Sequence, residues 1–268
     1  MAMRDQDVRL AITPAQARAA NLLQRQRLAD TLRDLPASQW ASPTRCAGWS
    51  VQDIVRHLAQ MNGVFLDALG AAQAGERFDG FRTFEPKRTP DVWVRELRGV
   101  SAVQTLADFE ASTDAVLAAS AALDTDGSTR VATPAGRQPW PRAMLHSLFD
   151  SAVHERDILL AVGGPAVRGA DMATVAAYQV LLSARIACAS GASLDAVLRL
   201  SDDVTIGVAV IGPVVSVALD PPDKADAMGA TGDSVAVLDA MVGRGALADV
   251  LDAPPPVQSA LSGLVALV

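Results

Sequence analysis

Apolar residues recur at helical spacing in the first two thirds of the chain, and at strand spacing only in the last third. The first helical stretch carries Ala19, Leu22, Leu23, Leu28 and Leu32. Thr13-Pro14 gives it a cap and a first-turn proline, and Pro36 ends it. Ser50, with Asp53 three residues on, opens the second stretch much as a capping box would. Its apolar face is Ile54, Leu58, Met61, Phe65 and Leu69. Residues 75–91 read as a loop rich in Gly, Arg and Pro. Helical spacing resumes over about 90–123, with a break near Gly99, and 125–138 reads as a polar connection. Pro141 opens the fourth stretch, which runs through Met144, Leu148, Ala152 and Ile158 to a Gly163-Gly164-Pro165 stop.

Beyond Pro165 the pattern changes. A helix near 170–190 is followed by β-branched runs at 196–200, 204–211 and 214–219, with Gly212-Pro213 as a hairpin turn. Gly229 to Gly232 precede a helix through Val235, Leu238, Met241 and Val242, and a last helical stretch lies near 257–267. The fold class predicted is α+β: a four-helix bundle over 1–167, then a small α+β domain over 168–268.

Composition narrows the function. Half of the 268 residues are hydrophobic and a fifth are charged, enough to build a core. A net charge of −7, with Lys87 and Lys224 as the only lysines, argues against a nucleic-acid partner, which needs a concentrated basic patch. Arg-for-Lys usage and abundant Ala, Gly, Val and Asp suggest a GC-rich bacterial genome. Two cysteines make no disulfide framework, which favours a reducing cytoplasm. The polar N-terminus lacks a signal-peptide core, and no uninterrupted apolar window reaches the roughly 18 residues of a membrane span.

The chemistry concentrates in three histidines. His57 lies on the second stretch. His146 and His154 lie on the fourth with Asp150 between them, spaced i, i+4, i+8. Asp150 and His154 therefore face one way, one turn apart. With His57 from a neighbouring helix they would make a three-ligand site with an open position, the arrangement of a catalytic zinc. Spacing alone leaves the alternative open: unrelated polar residues, with His57 a satisfied core histidine. Asp157 could orient His154 as a supporting carboxylate, or simply pair with Arg156. His146 could act in acid/base chemistry or only line the cavity. Trp40 and Trp49 read as packing aromatics, and Cys46 as a buried thiol with nothing nearby to make it reactive. Arg82, Lys87 and Arg88 could receive an anionic substrate, or belong to a solvated loop.

Trp40 and the run Pro43-Thr44-Arg45-Cys46-Ala47-Gly48-Trp49-Ser50-Val51-Gln52-Asp53-Ile54-Val55-Arg56-His57-Leu58 resemble the N-terminal signature of the mycothiol-dependent maleylpyruvate isomerase family, within the DinB-like superfamily. Asp150-Ser151-Ala152-Val153-His154-Glu155-Arg156-Asp157-Ile158, preceded by Thr133-Pro134-Ala135-Gly136, resembles its second signature. Ala230-Thr231-Gly232-Asp233-Ser234-Val235 and Gly243-Arg244 resemble its small second domain, related to sterol-carrier-protein folds. The resemblance implies a DinB-like bundle holding zinc or another divalent metal on His57, Asp150 and His154. Asp150 stands where the isomerase has a longer Glu, which would draw the metal towards its helix. His146 and Asp157 are the candidate catalytic residues, and Arg82 the candidate cofactor contact.

The implied function is that of an enzyme with mycothiol as its low-molecular-weight thiol, working on a small electrophile as an S-transferase or a cis–trans isomerase. The second domain would close one side of the cavity. A monomer or homodimer in the cytoplasm is expected, with no nucleic-acid or membrane partner. The rival reading is a non-catalytic carrier of a small molecule, with a vestigial or structural metal site.

Overall fold

The structure is a computed structural model, which describes residues 7–86, 88–134, 136–222 and 226–266. The chain divides into two compact units. The first element among the described residues is strand β1 (Val8–Ala11), which belongs to the second of them.

The first unit is Thr13–Ala166. Its elements are α1 (Pro14–Arg33), α2 (Val51–Gln73), the short α3 (Thr89–Glu96), α4 (Ala102–Ala121), the hairpin β2 (Arg130–Thr133) and β3 (Gly136–Pro139), and α5 (Trp140–Val162). Helices α1 and α2 each pack on α4 and α5. Local chemistry sets their ends. The Thr13 side chain accepts from the Gln16 amide while Gln16 reaches back to the Thr13 amide, and Ser50 and Asp53 do the same for α2. Each such cap is worth about 1 kcal/mol. Helix α5 stops at Gly163, whose φ of 73° is cheap only for glycine. Leu28, Leu32, Trp40, Ile54, Leu58, Phe109 and Ile158 form one core cluster, and Leu69, Val116, Val131, Trp140 and Met144 a second.

The second unit comprises β1, α6 (Ala170–Ala189), β4 (Leu194–Leu200), β5 (Val204–Ile211), β6 (Val214–Leu219), β7 (Met228–Gly232), α7 (Ser234–Met241), α8 (Leu247–Val250), β8 (Leu251–Asp252) and α9 (Pro255–Leu261). The strands form one sheet in the order β1-β6-β5-β4-β7-β8. The β1/β6 and β4/β7 pairs are parallel; the others are antiparallel. Gly212 and Pro213 form the two-residue turn between paired Ile211 and Val214. Helix α6 packs on β5 and β6 and is long and apolar enough to cross a membrane, yet 67% of its most apolar window is buried in the folded chain.

Three elements differ from the sequence reading. The N-terminal residues, assigned to the bundle, supply β1, whose Val8 and Leu10 pair with Val215 and Val217 of β6. Strand pairing across the length of the chain leaves no local signal. The connection over 125–138 contains the β2–β3 hairpin, each strand only four residues long, too short for alternation to register. Gly229 to Gly232, given no strand by the sequence reading, lie in strand β7. Gly232 is there because a β-carbon would meet the Val250 carbonyl at 2.6 Å.

Candidate metal centre

Helices α2 and α5 bring His57, Asp150 and His154 together. The ring of His57 is buried, 4% exposed, on the inner face of α2. Its Nε2 lies 3.4 Å from Asp150 Oδ2, and His154 Nε2 lies 3.9 Å from Asp150 Oδ1. The His57 and His154 rings sit edge to face, 4.9 Å between centroids. Nitrogen and oxygen ligands on one tetrahedral zinc stand about 3.3–3.5 Å apart, given bonds of about 2.0–2.2 Å. The His57 contact already has that length; the His154 contact is to the other carboxylate oxygen, so bringing both imidazoles onto one ion requires the Asp150 carboxylate to turn or to bind through both oxygens. The donor set, two imidazoles and a carboxylate, is also ordinary zinc chemistry.

Electrostatics supports the grouping. Burial pushes the Asp150 carboxyl up, but the three histidines, His57 foremost, outweigh it and hold the group well below the usual carboxylate range. Burial pulls the His154 imidazole down. Asp157, then Cys46 and Asp150, overcome that and raise it to about 10.

The loop before α2 builds the other side of the centre. A bridge between Pro43 and Ser50, the Thr44 amide donating to the Trp49 carbonyl, and Gly48 at φ 78° fold residues 43–50 back on themselves. The fold sets Arg45, Cys46 and Trp49 against α5 and α2. Trp49 stacks on His154 at 6.2 Å and tilts against His57 at 5.3 Å, while its Nε1 donates to Asp91 of α3 at 2.6 Å. Cys46 Sγ lies 3.2 Å from Asp157 Oδ2 and 3.7 Å from His154 Nδ1. Arg45 Nε donates to Asp157 Oδ1 at 2.7 Å.

The remaining predicted residues fall in different places. Asp157 is fully buried, and its Oδ2 faces His154 Nδ1 at 3.4 Å, on the far side of that ring from Asp150. That position suits a residue that orients His154 and not one that meets a substrate, contrary to its expected catalytic role. His146 lies one turn before Asp150, flanked by Phe65 and Phe149 at 6.3 and 6.2 Å, close enough to act on the charge of Asp150 but outside the donor cluster. Arg82 and Arg88 are exposed on the loop after α2. Lys87 lies outside the described residues.

Sequence reasoning missed the contacts of Arg45, Cys46 and Trp49 with the histidines. It also missed buried Arg25 of α1, whose Nη2 donates to Ser147 Oγ at 2.9 Å, one turn before Asp150. The density of chemistry-bearing residues in Thr44-Arg45-Cys46-Ala47-Gly48-Trp49 was the available signal for the loop; a lone Arg on α1 offered none.

The family profile described as "Mycothiol maleylpyruvate isomerase N-terminal domain" matches residues 22–159. Among solved structures, the crystal structure of the mycothiol-dependent maleylpyruvate isomerase superposes with a TM-score of 0.64 at 15% identity, covering 90% of this chain and 93% of that one. A histidine-to-alanine mutant of that isomerase gives the same TM-score and coverage at 14% identity. At such identities the likeness is one of fold. No curated protein sequence matches the chain significantly.

Proposed function

Because the chain belongs to the mycothiol maleylpyruvate isomerase N-terminal domain family, we propose that it is a divalent-metal-dependent enzyme that uses mycothiol as its thiol. The observation that carries this reading is the convergence of His57, Asp150 and His154 into one donor set. A zinc ion held there would lower the pKa of a thiol presented at the open position, making thiolate available near neutral pH.

The chain's own residues then divide the work. Asp157, fixed by Arg45, accepts from His154 Nδ1–H and keeps Nε2 turned towards Asp150. The Trp49 indole covers one side of both imidazoles and keeps bulk water from that side. His146, between Phe65 and Phe149, stands where it can hold or pass a proton beside Asp150. Addition of the thiolate to a conjugated carbon–carbon double bond leaves a single bond that can rotate; expelling the same thiol then returns the isomerised double bond. If the carbanion left by the addition takes up a proton instead, the thiol stays and the adduct is the product of a transferase.

The test is an assay of the zinc-loaded protein with mycothiol and maleylpyruvate, beside the same assay with a simple electrophile, following thiol consumption. Isomerisation with thiol conserved supports the isomerase, and stoichiometric thiol consumption supports the transferase. Either activity should fall by about 10²-fold or more in His57→Ala. Absence of both, with small-molecule binding intact in His57→Ala, would make the protein a carrier.

A further inference from the structure

The same loop that covers the histidines creates a second set of donors. Cys46 Sγ, His154 Nδ1 and Asp157 Oδ2 lie 3.7, 3.2 and 3.4 Å apart, taken as Sγ–Nδ1, Sγ–Oδ2 and Nδ1–Oδ2. A tetrahedral zinc with sulfur at about 2.3 Å and nitrogen and oxygen at about 2.0–2.2 Å would hold these atoms about 3.4–3.6 Å apart. The Nδ1–Oδ2 edge has that length, the Sγ–Nδ1 edge is about 0.1 Å longer and the Sγ–Oδ2 edge a few tenths of an ångström shorter, so small shifts would bring the three atoms onto one face of such a coordination sphere. Arg45 grips the other oxygen of Asp157 and orients Oδ2 towards the pair. Cys46 and His154 are only half-buried, so an ion and a fourth, solvent ligand can reach the face.

We propose that Cys46, His154 Nδ1 and Asp157 form a second metal site, selective for a thiophilic divalent cation such as zinc, cobalt or cadmium. A thiolate in the donor set favours soft cations over magnesium or calcium, whose ligands are oxygens. On binding, the Cys46 thiol and the His154 Nδ1–H both give their protons to solvent, and the sulfur and the nitrogen become ligands.

The two sites share one imidazole. His154 offers Nε2 to the first and Nδ1 to the second. A ring nitrogen that coordinates carries no proton, so filling both sites at once requires an imidazole stripped of both protons. Two ions are held together only when His154 becomes a bridging imidazolate, so an ion on Cys46 and an ion on His57 and Asp150 each weaken the other without excluding it. The second site fills at higher metal concentration and weakens the first, which gives the centre a response to excess metal. This inference rests on the first site for its effect on activity but not for its existence.

The test is titration of the metal-free full-length protein with cobalt(II), following the near-ultraviolet thiolate-to-cobalt charge-transfer band and the number of ions bound. Wild type should show the band only after the first equivalent. His57→Ala, which disables the first site, should show it from the first addition. Cys46→Ser, a near-isosteric change, should abolish the band and keep one bound ion. Absence of the band in both wild type and His57→Ala at excess cobalt overturns the proposal, as does a band that persists unchanged in Cys46→Ser. If Cys46→Ser binds no cobalt while wild type shows the band, the second site stands and the first-site reading fails.

Discussion

Replacing Asp157 with Asn removes a charge and little volume from a side chain with no solvent exposure. Three partners are affected at once: Arg45 at 2.7 Å, Cys46 at 3.2 Å and His154 Nδ1 at 3.4 Å. If Asp157 orients His154, the asparagine weakens the grip on the His154 tautomer. Zinc affinity should then fall about 10–100-fold, the usual cost of losing such a supporting carboxylate. That is about 1.4–2.7 kcal/mol. The fold should suffer too. Breaking a fully buried ion pair costs about 3–5 kcal/mol. Arg45 keeps 25% exposure, so water takes over part of its solvation and the expected loss is about 1–3 kcal/mol. Zinc affinity is measured by competition with a chromophoric chelator, and stability by urea unfolding of the metal-free protein. A folded Asp157→Asn variant whose zinc affinity stays within about twofold of wild type would refute the orienting role.

Three further outcomes are expected. In the metal-free protein the imidazole of His154 is raised to about 10, so its contribution to stability is fully present below about pH 6.5 and is lost as pH rises through about 10. Because zinc must displace that proton, zinc affinity should rise with pH across this interval, and calorimetry in buffers of different ionisation enthalpy should detect proton release; a pH-independent affinity contradicts it. Trp49 packs on both histidines, so Trp49→Phe should remove much of the fluorescence quenching that cobalt produces; undiminished quenching contradicts that placement. Gly232→Ala should cost about 1–3 kcal/mol, read as a lowered Tm, because its β-carbon would meet the Val250 carbonyl at 2.6 Å and Val237 Cγ2 at 2.7 Å; an unchanged Tm contradicts the close approach.

Much of the helical unit was legible because its signals are local. Thr13-Pro14, Ser50 with Asp53, and Gly163-Gly164 mark helix ends through side chains within four residues, and the structure places the ends there. The break near Gly99 separates α3 from α4 for the same reason. Strand β1 was not legible, since its partner lies some two hundred residues away and a four-residue strand carries too few positions to show a period. Periodicity put Asp150 and His154 on one face, but it could not say that His146, one turn earlier, would lie outside the donor cluster among phenylalanines. Nor could it place Cys46 and Asp157 against one ring, because that contact depends on how the 43–50 loop folds back.

The most direct test is the zinc content of the purified full-length protein by elemental analysis, beside His154→Ala and His57→Ala in a Cys46→Ser background, each of which disables both donor sets. Native protein equilibrated with limiting zinc should carry about one ion per chain, and each variant should lose most of it. Native protein that holds no zinc after equilibration, or variants that hold as much as native, would contradict the metal centre at its root.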